Sequence, residues 1–312
     1  MKNNILVTGC AGFIASHLIE ELLKNSSLNI IGIDSFYSGT VDNIKYLKSL
    51  DINNNFHFIE NDIRNFDQID KTIKSYQIKK IYHLASLVSV QESINNPLLS
   101  HDVNVKGTLN ILESARINKV QRIVFSSSAA VYGNEKALPQ NENSPVSPIS
   151  PYGCDKLIGE YYMKLYSELY GIETISLRYF NVYGPRQSIA NNYSGVISNF
   201  DNKIKKNEIP FIYGTGEQYR DFINVKDVVT INIKAMQLEN ISHELFCVGT
   251  GIKTTINNIF QTINKKYQKS LLPQYEESKN GDILESVCDN KKLINKLKIK
   301  SLKSFKEGIF EL

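Results

Sequence analysis

The strongest candidates for catalysis in this sequence are a tyrosine and a lysine, Tyr152 and Lys156, together with the serines at 126–128. Residues four apart share one face of a helix, so we expect the two side chains to lie within reach of each other. A lysine ammonium there would stabilise a phenolate and lower the pKa of Tyr152 below its usual value of about 10. The pattern therefore indicates a general base for near-neutral pH, with a serine hydroxyl from another segment to hold the substrate oxygen.

The Tyr-x-x-x-Lys spacing does not identify a site by itself, because it occurs more than once. The elements that would carry each pair must decide among the matches. They are Tyr76/Lys80, Tyr132/Lys136, Tyr152/Lys156 and Tyr275/Lys279.

Short apolar runs alternate with helical periodicity through the first half of the chain. Such strands, separated by helices, predict a parallel sheet covered on both faces. The expected fold class is α/β: a Rossmann-like doubly wound parallel sheet with a smaller, interleaved α/β lobe that binds substrate. Strands are predicted at 4–9, 28–34, 56–60, 80–84, 122–126 and 172–177, and helices at 13–24, 69–76, 104–117 and 152–169.

The regular alternation of predicted strands and helices ends at about residue 180. We predict a helix at 196–206, a hairpin or loop at 211–222, a helix at 225–239, and a strand at 244–248 that returns to the main sheet. The predicted nucleotide-binding domain is 1–182, with 223–250 returning to it. The second lobe is then 183–222 together with 251–312.

Sheet order selects Tyr152 among the four tyrosines. Ser126 to Ser128 end the fifth strand, and ligands of such sheets bind outside the carboxyl ends of the strands. Tyr152 follows Ser150-Pro151, a typical helix entry, in the helix before the sixth strand. Of the other tyrosines, Tyr76 lies at the opposite edge of the sheet, Tyr132 precedes a loop, and Tyr275 lies in the second lobe.

A nucleotide site is predicted at the amino terminus, where Gly9-Cys-Ala-Gly12-Phe13-Ile14-Ala15 joins a strand to a helix. Glycines allow the backbone to approach a pyrophosphate, which the helix N-terminus favours. Asp34 ends the second strand, where an acid binds adenosine ribose hydroxyls and repels a 2′-phosphate, so NAD is expected rather than NADP. The alternative for Asp34 is a turn or helix-capping aspartate. Asp62-Ile63 suits an adenine contact, with an ordinary surface turn as the alternative, and His83 is expected to be structural.

Composition excludes several classes of protein. The chain has 312 residues, 42% of them apolar and 22% charged, and its net charge of +4 does not favour nucleic-acid binding. No apolar run reaches the ~20 residues that cross a bilayer, and the first residues lead into a strand rather than a signal peptide. The basic stretch 291–306 could be a membrane-surface helix, but a solvated face is favoured. The four cysteines lack metal-ligand spacing, so we expect free thiols, no metal, no membrane insertion and a cytoplasmic protein.

These motifs together resemble the extended short-chain dehydrogenase/reductase family, in its UDP-sugar 4-epimerase branch. The resemblance covers nearly the whole chain. It implies an NAD domain followed by a nucleotide-sugar lobe. The motifs that carry it are Thr8-Gly9-x-x-Gly12-Phe13-Ile14-Ala15, Asp62-Ile63, His83-Leu84-Ala85, Asn104-Val105-x-Gly107-Thr108, Ser126 to Gly133, Tyr152-x-x-x-Lys156, Arg178 to Arg186 and Arg220-Asp221-Phe222.

The resemblance also implies roles for residues. Tyr152 would be the base, Lys156 its electrostatic partner and a ribose ligand, and Ser128 the hydroxyl on the sugar oxygen. Cofactor contacts would come from Gly9, Gly12, Phe13, Ile14, Asp34, Asp62, Ile63, Leu84, Ala85, Asn104, Ser126, Tyr152, Lys156 and Tyr179. Substrate contacts would come from Ser89, Ser128, Asn181, Val196, Phe211, Tyr213, Arg220, Lys279, Asp282 and Ser286.

Two of these positions carry further expectations. Arg220 could hold a diphosphate through a bidentate contact, or it could form a salt bridge with Asp221 or Asp227. Lys279 stands where the family has arginine, which keeps the charge but loses the bidentate geometry. A homodimer through the helices at 104–117 and 152–169 is also implied.

The residues after Ser128 narrow the reaction. Relatives that dehydrate or decarboxylate carry acids there, whereas this chain has Ala129 and Ala130, which leaves oxidation and re-reduction at C4, that is, epimerisation. Small Ser286 lies where relatives limit the space beside the C2 substituent of the sugar. We therefore expect UDP-GlcNAc and UDP-GalNAc as substrates, with UDP-Glc and UDP-Gal as further ones. Alternatives are an epimerase of UDP-glucuronate or a UDP-pentose, another NAD-dependent nucleotide-sugar oxidoreductase or dehydratase, an NAD-binding sensor, and, for Ser286, an ordinary surface serine.

Overall fold

The structure is a computed structural model that describes residues 3–187, 195–277 and 285–312. It divides into two compact units, each built from three stretches of chain. The first unit comprises Met1–Gly133, Val146–Arg178 and Val229–Phe246, and the second comprises Asn134–Pro145, Tyr179–Val228 and Cys247–Leu312.

A seven-stranded sheet organises the first unit. Its order is β3-β2-β1-β4-β5-β6-β11; β1 runs parallel to β2 and β4, β3 parallel to β2, and β5 parallel to β4. In chain order the strands of the described chain are β1 (Asn3–Thr8), β2 (Leu28–Asp34), β3 (Phe56–Glu60), β4 (Lys80–His83), β5 (Arg122–Ser128), β6 (Glu173–Tyr179), β7 (Asn181–Tyr183), β8 (Phe211–Tyr213), β9 (Tyr219–Arg220), β10 (Phe222–Asn224), β11 (His243–Val248), β12 (Thr254–Thr255) and β13 (Gln274–Glu276).

Helices connect these strands. A π-helical turn (Asp102–Lys106) precedes α6, and a 3-10 helix (Ala129–Tyr132) follows β5. The α-helices are α1 (Phe13–Leu22), α2 (Val41–Leu50), α3 (Phe66–Ser75), α4 (Val90–Asn95), α5 (Pro97–His101), α6 (Gly107–Ile117), α7 (Pro151–Tyr170), α8 (Val196–Lys205), α9 (Val225–Gln237), α10 (Ile256–Lys266), α11 (Lys291–Leu297) and α12 (Phe305–Phe310).

The core of the first unit lies between the sheet and its helices. Leu6, Ile81 and Phe125 on three neighbouring strands pack with Leu112 of α6 and Met163 of α7, all at most 1% exposed. Each such side chain stabilises the fold by roughly 1.5–3 kcal/mol on burial. Apolar residues on successive strands therefore fix the strand ends that carry the candidate site.

The second unit is built from shorter pieces. Strands β7 and β10 pair in parallel, as do β8 and β13, whereas β9 and β12 pair antiparallel. Phe200 of α8 packs edge-on against Phe260 of α10, with ring centroids 6.1 Å apart, in a separate apolar core.

The predicted alternation of strands and helices is confirmed, and the strand at 244–248 does join the main sheet as β11, beside β6. The segment 211–222 does not form the predicted hairpin, because its short strands pair with distant parts of the chain. Residues 134–145 group with the second unit rather than with the first, as the amide of Gln140 donates to the Val287 carbonyl at 2.8 Å. Across the ranges that the structure describes, no helix combines the length and apolar character needed to span a membrane.

Candidate active site

Strand β5 delivers the serines to its carboxyl end. Ser127 is buried and donates to Glu160 of α7 at 2.5 Å. Ser128 ends the strand and caps the 3-10 helix, its Oγ accepting from the Ala130 amide at 3.1 Å. The Ser128 hydroxyl therefore lies at the carboxyl end of the sheet and is half-buried.

Helix α7 places Tyr152 against this turn. The predicted entry is confirmed: Pro151 is at the first helical position, and Ser150 Oγ accepts from the Gly153 amide at 3.1 Å. A Cβ on Gly153 would lie 2.6 Å from the Ala130 carbonyl oxygen, so glycine is required for this approach. The Tyr152 phenol is hydrogen-bonded to Ser128 as a result.

Lys156 lies beneath Tyr152 and is only 3% exposed. Its Nζ donates to the Ser126 carbonyl at 2.8 Å and lies 5.8 Å from the centre of the Tyr152 ring. Burial lowers the pKa of Lys156 to about 7, against the opposing field of Asp155 and Glu160. The structure therefore brings the three predicted catalytic side chains together.

The expected lowering of the Tyr152 pKa by lysine is not found. Burial raises the pKa of Tyr152, and the hydrogen bond from Ser128 opposes that rise. Desolvation outweighs that hydrogen bond, because a buried phenolate loses its hydration. In the protein alone, the group that favours the phenolate is Ser128.

A buried ion pair beneath the serines was missed in the sequence. The guanidinium of Arg178 on β6 donates to both oxygens of Glu160, at 2.9 and 2.7 Å, and to the Tyr132 hydroxyl at 2.9 Å. Glu160 follows Lys156 by four residues, so helical spacing could have placed it on the same face. Tyr132, a rival for the catalytic tyrosine, is fully buried in this network.

The Gly9–Gly12 turn has the geometry of a nucleotide-binding turn. Gly9 has φ +71°, and a Cβ there would lie 2.8 Å from the Ala85 amide nitrogen. Helix α1 begins at Phe13 without a side-chain cap, so its first amides and its positive end are available to an anion. Phe13 and Ile14 are half-buried at this helix start.

Asp34 ties this turn to the end of β2. Its carboxylate accepts from the Ala11 amide at 2.9 Å and the Phe36 amide at 2.8 Å. Burial raises the pKa of Asp34, although those amides oppose the rise. Asp34 is thus a turn aspartate, and it also stands where a ribose ligand is needed, so the residues present fit a dinucleotide.

The remaining cofactor candidates mostly hold the backbone around this groove. The amides of Leu84 and Ala85 donate to Thr8 Oγ1 at 3.2 and 3.1 Å. Asn104 accepts from Ser86 and Leu87 and donates to Leu87 and Ser100, so its amide group is engaged within the protein.

Three further residues near the groove have structural partners. Asp62 pairs with Arg64 at 2.7 Å, which lowers the pKa of Asp62, while the side chain of Ile63 packs into the core. His83 lies between the hydroxyls of Thr8 and Thr108, at 2.8 and 3.0 Å. Burial lowers the pKa of His83 to about 3, consistent with the structural role expected.

Ser89, predicted at the sugar end, caps α4. Its Oγ accepts from the Glu92 amide at 3.1 Å. The neighbouring Ser93 Oγ accepts from the Tyr152 amide, also at 3.1 Å. Helix α4 therefore connects the Ser89 segment directly to Tyr152, the predicted catalytic tyrosine.

The second unit carries most predicted substrate contacts. Asn181 donates through its side-chain amide to the Asp221 carbonyl at 2.8 Å, and Arg220 donates to the Tyr219 carbonyl at 3.1 Å. Phe211 and Tyr213 alternate along β8 and so share one face. Val196 begins α8 beside the apolar core, and Tyr179 is buried at the end of β6.

Ser286 is buried rather than on the surface. It is 8% exposed, its amide donates to the Tyr219 carbonyl at 3.2 Å, and its hydroxyl lies 3.4 Å from Gln140 Oε1. Ser286 and Arg220 therefore flank the same tyrosine backbone. Lys279 and Asp282 lie outside the described residues. Within the part of the chain that the structure describes, no cluster of three His, Cys, Asp or Glu residues could hold a metal.

Comparisons with known proteins agree with this geometry. The GDP-mannose 4,6-dehydratase family model matches residues 6–310. UDP-glucose 4-epimerase of Mycolicibacterium smegmatis is 34% identical over 286 residues, covering 91% of this chain and 89% of that protein.

Two solved structures are also similar. UDP-N-acetylglucosamine 4-epimerase from Methanobrevibacter ruminantium, in complex with UDP-N-acetylmuramic acid, superposes with a TM-score of 0.92 and 34% identity, covering 100% of this chain and 97% of that one. UDP-glucose 4-epimerase of Thermus thermophilus, in complex with NAD, gives a TM-score of 0.86 and 29% identity, covering 98% and 96%. The chain therefore belongs to the extended short-chain dehydrogenase/reductase family, in the branch that includes the UDP-sugar 4-epimerases.

Proposed function

We propose that this chain is an NAD-dependent UDP-sugar 4-epimerase that interconverts UDP-GlcNAc and UDP-GalNAc, with UDP-Glc and UDP-Gal as further substrates. The observation that carries the proposal is the placement of Ser128, Tyr152 and Lys156 close together at the carboxyl end of β5, beside two alanines in place of acids. The NAD complex of a similar epimerase and the fit of the Gly9–Gly12 turn support the cofactor.

The chain's own residues would handle the proton at the sugar C4 oxygen. NAD, when bound, supplies the reversible oxidation of C4. The phenolate of Tyr152 takes the proton from the C4 hydroxyl, and the Ser128 hydroxyl holds the same sugar oxygen. Tyr152 returns the proton after the 4-keto sugar has presented its other face, so the reaction has no net redox change.

Lys156 would have two roles in the site: it would bind a ribose hydroxyl of NAD and stabilise the phenolate of Tyr152. One of its three N–H groups is used by the Ser126 carbonyl at 2.8 Å, which leaves donors for a ribose hydroxyl. With a pKa of about 7, its charge state changes near neutral pH. A protonated Lys156 would add stabilisation to the phenolate once substrate is bound.

Dehydration needs an acidic side chain to transfer a proton, and this chain has none at the two positions after Ser128. Ala129 and Ala130 occupy the 3-10 helix directly after Ser128 and carry only methyl groups. The buried carboxylate beside this turn, Glu160, accepts from Arg178 on both oxygens. Both oxygens of that carboxylate are engaged within the protein, so elimination is disfavoured relative to return of the hydrogen to C4.

The preference for N-acetylated sugars depends on Ser286. Its small side chain is buried against Gln140 and leaves more room than a tyrosine would. The Ser286 hydroxyl and the side-chain amide of Gln140 are the polar groups here that could bond to an acetamido group. This supports UDP-GlcNAc as the first substrate to test.

The decisive experiment supplies UDP-GlcNAc, UDP-Glc and UDP-glucuronate separately to purified protein, without added NAD, and identifies products by NMR. We expect C4 epimers from UDP-GlcNAc, and loss of turnover by at least about a hundredfold in Tyr152→Phe with NAD still bound. If UDP-glucuronate were the only one of the three sugars to be epimerised, the proposed substrate would be wrong. Turnover of Tyr152→Phe at the rate of the unmodified protein would refute the mechanism.

The same substrate panel tests the sugar preference. Ser286→Tyr should lose UDP-GlcNAc before UDP-Glc, because added volume excludes the larger C2 substituent first. Ser286→Ala, which adds no volume, is the matched control. Equal loss of both substrates in Ser286→Tyr would show that this position does not select by size.

We also propose that the protein works as a cytoplasmic homodimer. The four cysteines are free thiols, three of them buried, which suits a reducing compartment. Exposed apolar side chains on α7 suit a second copy of the chain.

A further inference from the structure

A hydrogen bond crosses the nucleotide-binding turn at the surface of the first unit. The phenol of Tyr37, in the segment after β2, donates to Glu92 Oε1 in the first turn of α4. Strand β1 lies between β2 and β4 in the sheet. The bond therefore spans the carboxyl end of β1, which is where the Gly9–Gly12 turn lies.

The segment that carries Tyr37 is fixed to this turn at both ends. At its start, Asp34 accepts from the amides of Ala11 and Phe36. At its end, the Thr40 amide and Asn43 Nδ2 both donate to the Ala11 carbonyl, at 3.1 and 2.8 Å. Tyr37 is thus the tip of a short anchored loop.

Helix α4 is fixed from the other side. Its capping residue, Ser89, accepts from the Glu92 amide, and Ser93 accepts from the amide of catalytic Tyr152. The segment between β4 and α4 donates to Thr8 through the Ala85 amide. Both partners of the Tyr37–Glu92 bond are therefore carried by segments anchored to the groove.

The bond lies at the surface, whereas the turn that it spans is buried. Cys10 and Ala11 in the turn are fully buried, whereas the Tyr37 side chain is 56% exposed. We propose that Tyr37 and Glu92 form a clasp over bound NAD that slows its release, so that one cofactor serves many turnovers. This inference rests on the proposed function, because only a reaction without net redox change benefits from retaining its cofactor.

The test measures cofactor release rather than turnover. Protein loaded with radiolabelled NAD is diluted into excess unlabelled NAD, and the label retained is followed over time. Tyr37→Phe should release NAD about fivefold faster, the effect of losing one partly exposed hydrogen bond to a charged acceptor. Glu92→Ala should match it, Glu92→Gln should be intermediate because its carbonyl still accepts, and the Tyr37→Phe/Glu92→Ala double variant should be no faster than either single variant.

Tyr46→Phe is the matched control. It removes another exposed phenol-to-carboxylate bond of the same unit, from Tyr46 to Glu20 at 3.1 Å, which joins α2 to α1. Its release rate should be unchanged. Release from Tyr37→Phe within twofold of the unmodified protein, or equal acceleration in Tyr46→Phe, would overturn the clasp while leaving the epimerase proposal intact. Failure of the unmodified protein to bind NAD would instead overturn both.

Discussion

At the scale of single residues, the hydroxyl of Ser128 affects the pKa of Tyr152, the proposed base. It hydrogen-bonds to the phenol of Tyr152 and opposes the rise in pKa that burial causes. Ser128→Ala should raise the pKa of Tyr152 further, because the phenolate loses its donor. A hydrogen bond to a charged acceptor is worth about 1.5–3 kcal/mol, which corresponds to roughly 1–2 pH units.

The pH profile of kcat/KM therefore reports on this residue. The rise of activity with pH should move to higher pH in Ser128→Ala, so the loss of activity is larger at pH 7 than at pH 9. Ser128→Thr keeps the hydroxyl and should restore the original profile. A fall by the same factor at every pH would mean that Ser128 acts on the sugar alone and not on the pKa of Tyr152.

At the scale of elements, the ion pair between Glu160 of α7 and Arg178 of β6 fixes the helix that carries Tyr152 and Lys156 to the sheet. Both side chains are about 5% exposed, with their nearest nitrogen and oxygen 2.7 Å apart. Arg178→Met should destabilise the protein by about 3–5 kcal/mol, because it leaves a buried carboxylate without its partner. Denaturant unfolding of the single variant measures this cost.

The double variant Glu160→Leu/Arg178→Met provides the comparison. Removing both charges should recover most of the lost free energy of unfolding, since no unpaired charge remains buried. If the single and double variants were equally unstable, packing rather than charge would account for the loss.

Local patterns predicted the catalytic elements well. Helix α7 was expected at 152–169 and spans Pro151–Tyr170, because Ser150 and Pro151 are strong entry signals and Gly171, with φ +70°, ends it. The second unit was harder to predict. Strand β8 pairs with β13, about sixty residues away, and strands of two or three residues carry no readable period.

Contacts between distant residues account for what the sequence did not reveal in the site. The bond from Tyr37 to Glu92 joins residues 55 positions apart, and the bond from Arg178 to Glu160 joins residues 18 positions apart. The pKa of Tyr152 depends on desolvation, which no spacing rule reports. The candidate site residues could therefore be predicted from their types and spacing. Their pKa values and long-range hydrogen bonds could be found only from the folded structure.

At the scale of the whole molecule, helix α7 leaves an apolar stripe exposed. Tyr161, Leu165 and Leu169 repeat every four residues and so share one face, and each is at least 44% exposed. Three large apolar side chains in a row on one helix indicate a protein interface. A second copy of this chain presents the same stripe and can pack against it symmetrically.

This arrangement predicts a dimer that a single charge disrupts. The unmodified protein should have twice its 35.4 kDa mass by light scattering, and Leu165→Glu should shift it toward the monomer, because a carboxylate would be buried without a partner. Ile52→Glu places the same charge on a residue that is 90% exposed outside α7 and should leave the dimer intact. A dimer that survives Leu165→Glu but not Ile52→Glu would place the interface elsewhere, and an unmodified protein of 35.4 kDa would exclude the dimer. Helix α7 also carries Tyr152 and Lys156, so loss of the dimer is expected to loosen that helix and lower kcat. Turnover of Leu165→Glu in the NMR product assay measures this effect, and light scattering of the same sample gives its mass.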